Sequence, residues 1–230
     1  MKVFLPAVER KFHGLFYAKI MQMNQKNKII ILLMLVILFL SFACAIINQN
    51  SFLLCFDNQI ATLENNLHTP TLNTLALGIT KIGDPIESFF IILIFSIFLL
   101  IKKEKKSFYI LITSTALGGA LMELIKVIVQ RPRPISHLLF ETDFSFPSGH
   151  ATIGTVFLLA SILLIAPLIK KTLYKKLFIV ITSILFLLIA LSRIYLSVHF
   201  ASDIIGGILL GSLMYLLSSL IICHKKENML

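Results

Sequence analysis

The chain has 230 residues, 57% of them hydrophobic and only 14% charged, with a formal net charge of +10 and three cysteines. A soluble domain carries nearer a quarter charged residues, and here the apolar residues gather into long uncharged runs, which excludes an ordinary water-soluble domain and points to one integral membrane unit, residues 1–230. The odd cysteine count excludes a disulfide framework or a CxxC metal pair, and the positive charge, set in short clusters between apolar runs, fits membrane topology and anionic headgroups and excludes a nucleic-acid partner.

In chain order, residues 1–28 form a basic segment, and the first apolar run, Ile29 to Ile47, has no small-residue cleavage pattern after it and is expected to stay as an anchor. Nearly forty residues follow, with helix-like apolar spacing at Ile60, Leu63 and Leu67 and again at Leu72, Leu75 and Leu77; this reads as one or two amphipathic helices lying at the membrane interface, with a plain polar loop as the alternative. Further spans are predicted at Ile86 to Ile101, Phe108 to Val129, Ala151 to Ile169, Leu177 to Leu191 and Ile204 to Ile222. The second is short for a hydrocarbon core of about 30 Å, so it is expected to draw on Ile82 or the Thr71 to Ile79 stretch, and the fifth to run on towards Leu196. The predicted fold is therefore an all-α bundle of six transmembrane helices.

Lysine and arginine fix its orientation. The N-terminal segment (Lys2, Arg10, Lys11, Lys19, Lys26, Lys28), the 102–106 loop, the 170–176 loop and the tail (Lys225, Lys226) hold sixteen of the twenty-one on one side. By the positive-inside rule both termini are cytoplasmic and the other ends of the spans face outward. On that outer side lie Lys81, Lys126, Arg131, Arg133 and Arg193, together with Asp57, Glu64, Asp84, Glu87, Glu141, Asp143 and Asp203.

Three clusters fall at the outer ends of spans. Lys126 sits about one turn before Arg131-Pro132-Arg133-Pro134, where the prolines must end the third span. Pro147-Ser148-Gly149-His150 opens the fourth; a serine cap followed by glycine leaves free helix amides pointing at whatever lies beyond, an anion site, though an ordinary capped helix start reads equally well from these residues alone. Ser192-Arg193 and His199 to Asp203 bridge the last two spans, and the four-residue spacing lets the Asp203 carboxylate accept from the His199 imidazole. Only four residues of the chain are arginines, and three of them lie here, where a planar fork can hold two oxygens at once.

Together these clusters, Lys126-x6-Arg133-Pro134, Pro147-Ser148-Gly149-His150 and Ser192-Arg193-x5-His199-x3-Asp203, resemble the three-part signature of the type 2 phosphatidic-acid phosphatase superfamily, which includes bacterial acid phosphatases and vanadium haloperoxidases. The resemblance implies an extracytoplasmic active site in which Lys126, Arg133, Arg193, the Ser148 hydroxyl and the Gly149 amide bind the phosphate of a lipid. It further implies that His199 is the nucleophile oriented by Asp203, and that His150 is the acid and then the base. It implies no metal and no cofactor. The register selects Arg133 over Arg131, to which no role is assigned.

The expected substrate is a lipid phosphate or diphosphate, undecaprenyl diphosphate first, with phosphatidylglycerophosphate, phosphatidic acid and lipid A phosphate as alternatives, in a bacterial cytoplasmic membrane. Phosphoryl transfer to another lipid, haloperoxidase activity and, from a different class, transport are the competing readings. Oligomeric state is left open. Phe144, Phe146, Tyr195 and Phe200 are expected to border a lipid entrance, Glu123 to be buried beside Lys126, and Gly118, Gly119, Gly207 and Gly211 to mark close helix contacts.

Overall fold

A computed structural model describes residues 24–136 and 138–224. The basic residues expected at 1–23 and 225–226 lie outside them. Eight α-helices follow one another: α1 Gln25–Ile47, α2 Ser51–Asn65, α3 Pro70–Lys81, α4 Pro85–Ile101, α5 Lys105–Val129, α6 Gly149–Ala160, α7 Thr172–Tyr195 and α8 Ala201–His224, and no strand occurs among the described residues. Local chemistry sets the boundaries. Asn24, Asn50, Thr69 and Ser148 each accept a first-turn amide with their side chains, Pro70 and Pro85 open α3 and α4, and α5 stops where Gln130 turns left-handed (φ 50°) ahead of Pro132 and Pro134. Beyond Ala160 the α6 helix widens into a π turn, Ser161–Ile165, and ends in a 3₁₀ turn, Ala166–Leu168, that contains Pro167.

Five of these units are long and apolar enough to cross a membrane, and α3 with α4, bent by 49° at their junction, passes the same test as a pair, either as a broken span or as a re-entrant loop. The 70–81 segment, on which the second span was expected to draw, precedes α4 across a break instead of continuing it, because Pro85 lacks a donor and opens a new helix with Asp84 before it. The fifth runs on to Tyr195, as expected. Both stretches read as interfacial are helical. Their large apolar residues, among them Phe52, Leu54, Leu63, Leu72 and Leu75, face away from the protein, whereas the buried residues are Asp57, Glu64, Ala76 and Thr80.

Helix α8 is the hub, packed against α1, α2, α5 and α6. Its partners approach closely because it presents glycine: a Cβ on Gly207 would lie 2.7 Å from the Ser148 carbonyl, and one on Gly211 would lie 2.4 Å from the Thr152 carbonyl. Of the other two expected glycine contacts, one is loose and one does not occur. Gly118 has only ordinary van der Waals distances around it and Gly119 has nothing within 4 Å, since it faces a cavity. One apolar cluster, with Leu99, Ile110, Leu111, Leu164 and Tyr215, closes the end of the bundle that carries the 102–104 and 169–171 loops; another, with Phe39, Ile46, Phe146 and Met214, fills the opposite half. The three sequence clusters meet at that opposite end.

Candidate active site

The end of α5, the start of α6 and the α7–α8 turn converge on a cavity of about 1030 Å³ lined by Lys126, Arg133, Gly149, His150, Arg193 and His199 among others. Six of the eight residues singled out from sequence thus share one cavity although they span 73 positions of chain. The other two, Ser148 and Asp203, stand behind its wall. Ser148 is fully buried, its Oγ accepts the Ala151 amide at 3.5 Å, and its own N–H donates to the Asp203 carbonyl at 3.1 Å, which ties the start of α6 to the first turn of α8.

His199 is buried in the turn before α8. Its Nε2 lies 3.0 Å from Arg133 Nη1, and its Nδ1 lies 3.4 Å from Asp203 Oδ2, a close approach with no closed hydrogen bond. A guanidinium can only donate, so Nε2 holds the lone pair and the ring proton sits on Nδ1, towards Asp203. Burial pushes the imidazole below its ordinary pKa; Asp203 opposes that, while the charges of Arg133 and Arg193 add to it, so the ring is neutral at physiological pH.

His150 is held at the α3–α4 break. Its Nε2 stands 3.2 Å from the Thr80 carbonyl and 3.1 Å from Asp84 Oδ1. A carbonyl only accepts, so this nitrogen carries a proton. Gly83 makes the approach possible, since a Cβ there would come within 2.4 Å of His150 Cδ2.

Each of the three cations is matched by a carboxylate that the sequence had shown only as an outer-side acid. The Asp143 carboxylate bridges Lys126 Nζ and Arg133 Nη2, the latter at 2.5 Å, and Glu141 Oε1 takes Arg193 Nη2 at 2.5 Å. Burial would raise the Asp143 carboxyl, but hydrogen bonds and charge from Lys126 and Arg133 outweigh it and hold the pKa at about 2. Arg193 also donates to Thr80 Oγ at 2.8 Å, and its buried Nε has no partner among the described residues. The sequence signal for Asp84, Glu141 and Asp143 was charge balance: five cations on the outer side called for anions within reach.

Other expectations need correction. Glu123 does pair with Lys126 at 3.2 Å, but its side chain is 61% exposed because it faces the cavity, not a helix neighbour. Phe146 borders no entrance; it is wholly buried, stacked on Phe39 with ring centroids 6.0 Å apart and wedged against Gly206. Tyr195 is tied by its hydroxyl to Asn73 at 2.6 Å, and the Phe200 ring lies 4.2 Å from the Arg131 guanidinium. Arg131, left without a role, bonds Asp203 directly at 2.6 Å.

The PAP2 superfamily model matches residues 107–226, just over half of the chain. Phosphatidylglycerophosphatase B of Bacillus subtilis is 28% identical over 163 residues, 70% of this chain and 80% of its own length. Undecaprenyl-diphosphatase of Sulfolobus acidocaldarius is 31% identical over 173 residues, 71% of this chain and 77% of its own. Among solved structures, the transmembrane PAP2-type phosphatidylglycerolphosphate phosphatase of Bacillus subtilis superposes with a TM-score of 0.72 at 26% identity, covering 86% of this chain and 96% of that one; Aquifex aeolicus LpxE superposes at 0.55 and 27% identity, covering 70% and 92%. With its apolar spans and these relatives on both sequence and structure, the chain belongs to the PAP2 superfamily and is a multi-pass membrane phosphatase of lipid phosphates.

Proposed function

We propose that this protein hydrolyses a lipid phosphate or diphosphate at the outer face of the membrane, without a metal, through a phosphohistidine on His199. The observation that carries the reading is the state of that ring: Nε2 bears a lone pair beside Arg133, and Nδ1–H faces Asp203. Nε2 is then the atom that attacks phosphorus. Lys126, Arg133 and Arg193, with the Gly149 amide, hold the phosphoryl oxygens, which take over the places of the Asp143 and Glu141 carboxylates. Fixed cations favour the charge-rich transition state and supply the neutralisation that a metal clamp provides elsewhere.

As the N–P bond forms, the P–O bond to the leaving group breaks and His150, which enters this step as the imidazolium, gives its Nε2 proton to the departing oxygen. The neutral His150 then takes a proton from water, the water oxygen attacks phosphorus, the P–N bond breaks, and phosphate leaves with His199 restored. Asp203 stabilises the ring while it is positively charged. Ser148 supports the edge of the site from the α6 cap, where its Oγ accepts the Ala151 amide and keeps its own hydroxyl proton to donate.

The first substrate proposed is undecaprenyl diphosphate, supported by the 31% identity to a protein of that name and by a cavity with room for two phosphoryl groups beside three cations. Phosphatidylglycerophosphate is the second reading, supported by the TM-score of 0.72 to the Bacillus enzyme. The test is phosphate release by the purified protein in detergent, with EDTA throughout and no acceptor lipid, on these two lipids, phosphatidic acid and lipid A phosphate. Release is expected in EDTA, inhibition by vanadate, and no release or acid-labile phosphoprotein from His199→Ala. A requirement for Mg²⁺, or a phosphoprotein in that variant, overturns the reading.

A further inference from the structure

Directly behind His199, outside the cavity, Asp203 joins a cluster of buried charge whose other members, Arg131, Asp57 and Ser202, no step of the mechanism uses. Arg131 Nη1 donates to Asp203 Oδ1 at 2.6 Å and to Ser202 Oγ at 2.7 Å, while its Nη2 donates to Asp57 Oδ2 at 2.7 Å. Asp57, on α2, in turn accepts the Ser202 N–H at 3.0 Å and the Ser202 hydroxyl at 2.6 Å. The ring of Phe200 covers the guanidinium. Asp57 is 2% exposed, and Ser202 and Asp203 not at all.

The two oxygens of Asp203 consequently have separate duties. Oδ2 accepts the Phe200 amide at 2.9 Å and faces His199 Nδ1, whereas Oδ1 belongs to Arg131. Without a partner on Oδ1 the carboxylate could turn about its own bond and lose Nδ1. Charge matters as much as geometry. A guanidinium paired with Asp203 alone would cancel the charge that the imidazolium needs. With Asp57 as a second anion the cluster keeps one net negative charge, which the ring balances once Nε2 is bonded to phosphorus.

We propose that Asp57 and Arg131 are positioning residues for the phosphatase reaction: a two-carboxylate, one-arginine clamp that fixes Asp203 on the His199 ring while leaving it its charge. The clamp makes α2, the helix after the first span, part of the catalytic apparatus although it contributes nothing to the phosphate cradle. The proposal rests on His199 being the nucleophile. The competing reading is a docking staple that joins α2 to α8 and concerns stability alone.

The two are separated by single-turnover formation of acid-labile phosphoprotein in the purified full chain, with thermal unfolding and inhibition by inorganic phosphate measured on every variant. Asp57→Asn and Arg131→Lys should each slow phosphorylation about 10- to 100-fold, the range typical when a residue orienting a working histidine through its partner is altered, with phosphate inhibition within about twofold because the cradle is untouched. The double variant Asp57→Asn/Arg131→Gln restores the net charge of the cluster. It should phosphorylate faster than Asp57→Asn alone, a reversal that a staple does not give. A double variant as slow as the slower single, rates that merely follow thermal stability, or no slowing in Asp57→Asn would each overturn the proposal. Asp57→Asn keeps the side-chain volume, so it decides the matter should the Arg131 variants not fold. Phosphoprotein formed by His199→Ala would instead condemn the nucleophile assignment and leave the clamp as a staple.

Discussion

At the scale of single residues, the candidate site places carboxylates where the proposed reaction puts phosphate. Asp143 is ionised at every working pH and lies across Lys126 and Arg133, where a phosphoryl group would sit. A substrate anion has to displace it. Asp143→Asn keeps the shape and removes the charge, so inorganic phosphate should inhibit the variant more tightly, by roughly 2- to 5-fold, the factor for a half-exposed ion pair of ~0.5–1 kcal/mol. Weaker inhibition would mean that Asp143 holds the cations in place more than it opposes the substrate. The sequence showed this residue only as one acid among seven on the outer side, because Asp143 lies beyond the end of α5 at Val129, in a stretch where no helical period fixes direction. Lys126, Arg133, His150 and His199 were legible for the opposite reason: each sits at or next to a helix end marked by proline, a cap or a turn, and helix ends in a bundle meet at common depths. Arg131 shows where that logic stops. It stands two positions from Arg133, yet it reaches Asp203 from the far side while Arg133 donates to the Val198 carbonyl.

At the scale of elements, the spans were readable to within a few residues because an apolar run must match the bilayer, but the helix contacts were not. Four glycines looked alike in sequence; two lie in tight crossings and two do not. Gly211→Ala would drive a Cβ to 2.4 Å from the Thr152 carbonyl, which belongs to backbone and cannot step aside. Overpacking of this kind costs about 1–3 kcal/mol, so the variant should unfold at clearly lower temperature in detergent. Gly119→Ala, with open space around it, should match or exceed the parent chain, since alanine is favoured over glycine within a helix by roughly 0.5–1 kcal/mol. Equal unfolding temperatures for the two variants would show that α8 and α6 are not packed this closely. The break between α3 and α4 is the other feature that length alone could not specify. It brings Thr80, Gly83 and Asp84 to His150 and Thr80 to Arg193, so the interruption of the span is what places this part of the site.

For the whole molecule, the remaining question is which way the bundle faces. The cavity opens at the end where α5 finishes and α6 begins, opposite the 102–104 and 169–171 loops. Those loops and their flanks carry Lys102, Lys103, Lys105, Lys106, Lys170, Lys171, Lys175 and Lys176. At the cavity end, by contrast, Arg131 and Arg193 are buried and paired with carboxylates, as are Lys126 and Arg133 in large part, so they offer the insertion machinery and anionic headgroups little net charge. The lysine-rich end should therefore be retained in the cytoplasm, because moving it across would carry eight hydrated charges through the hydrocarbon, whereas four of the five cations at the cavity end are already matched. Reporters fused at Asn66 and Ser136 should be scored outside, and those at Glu104 and Lys171 inside. The converse pattern would place the catalytic end at the inner leaflet, and hydrolysis of an outer-leaflet carrier lipid would then be impossible for this enzyme.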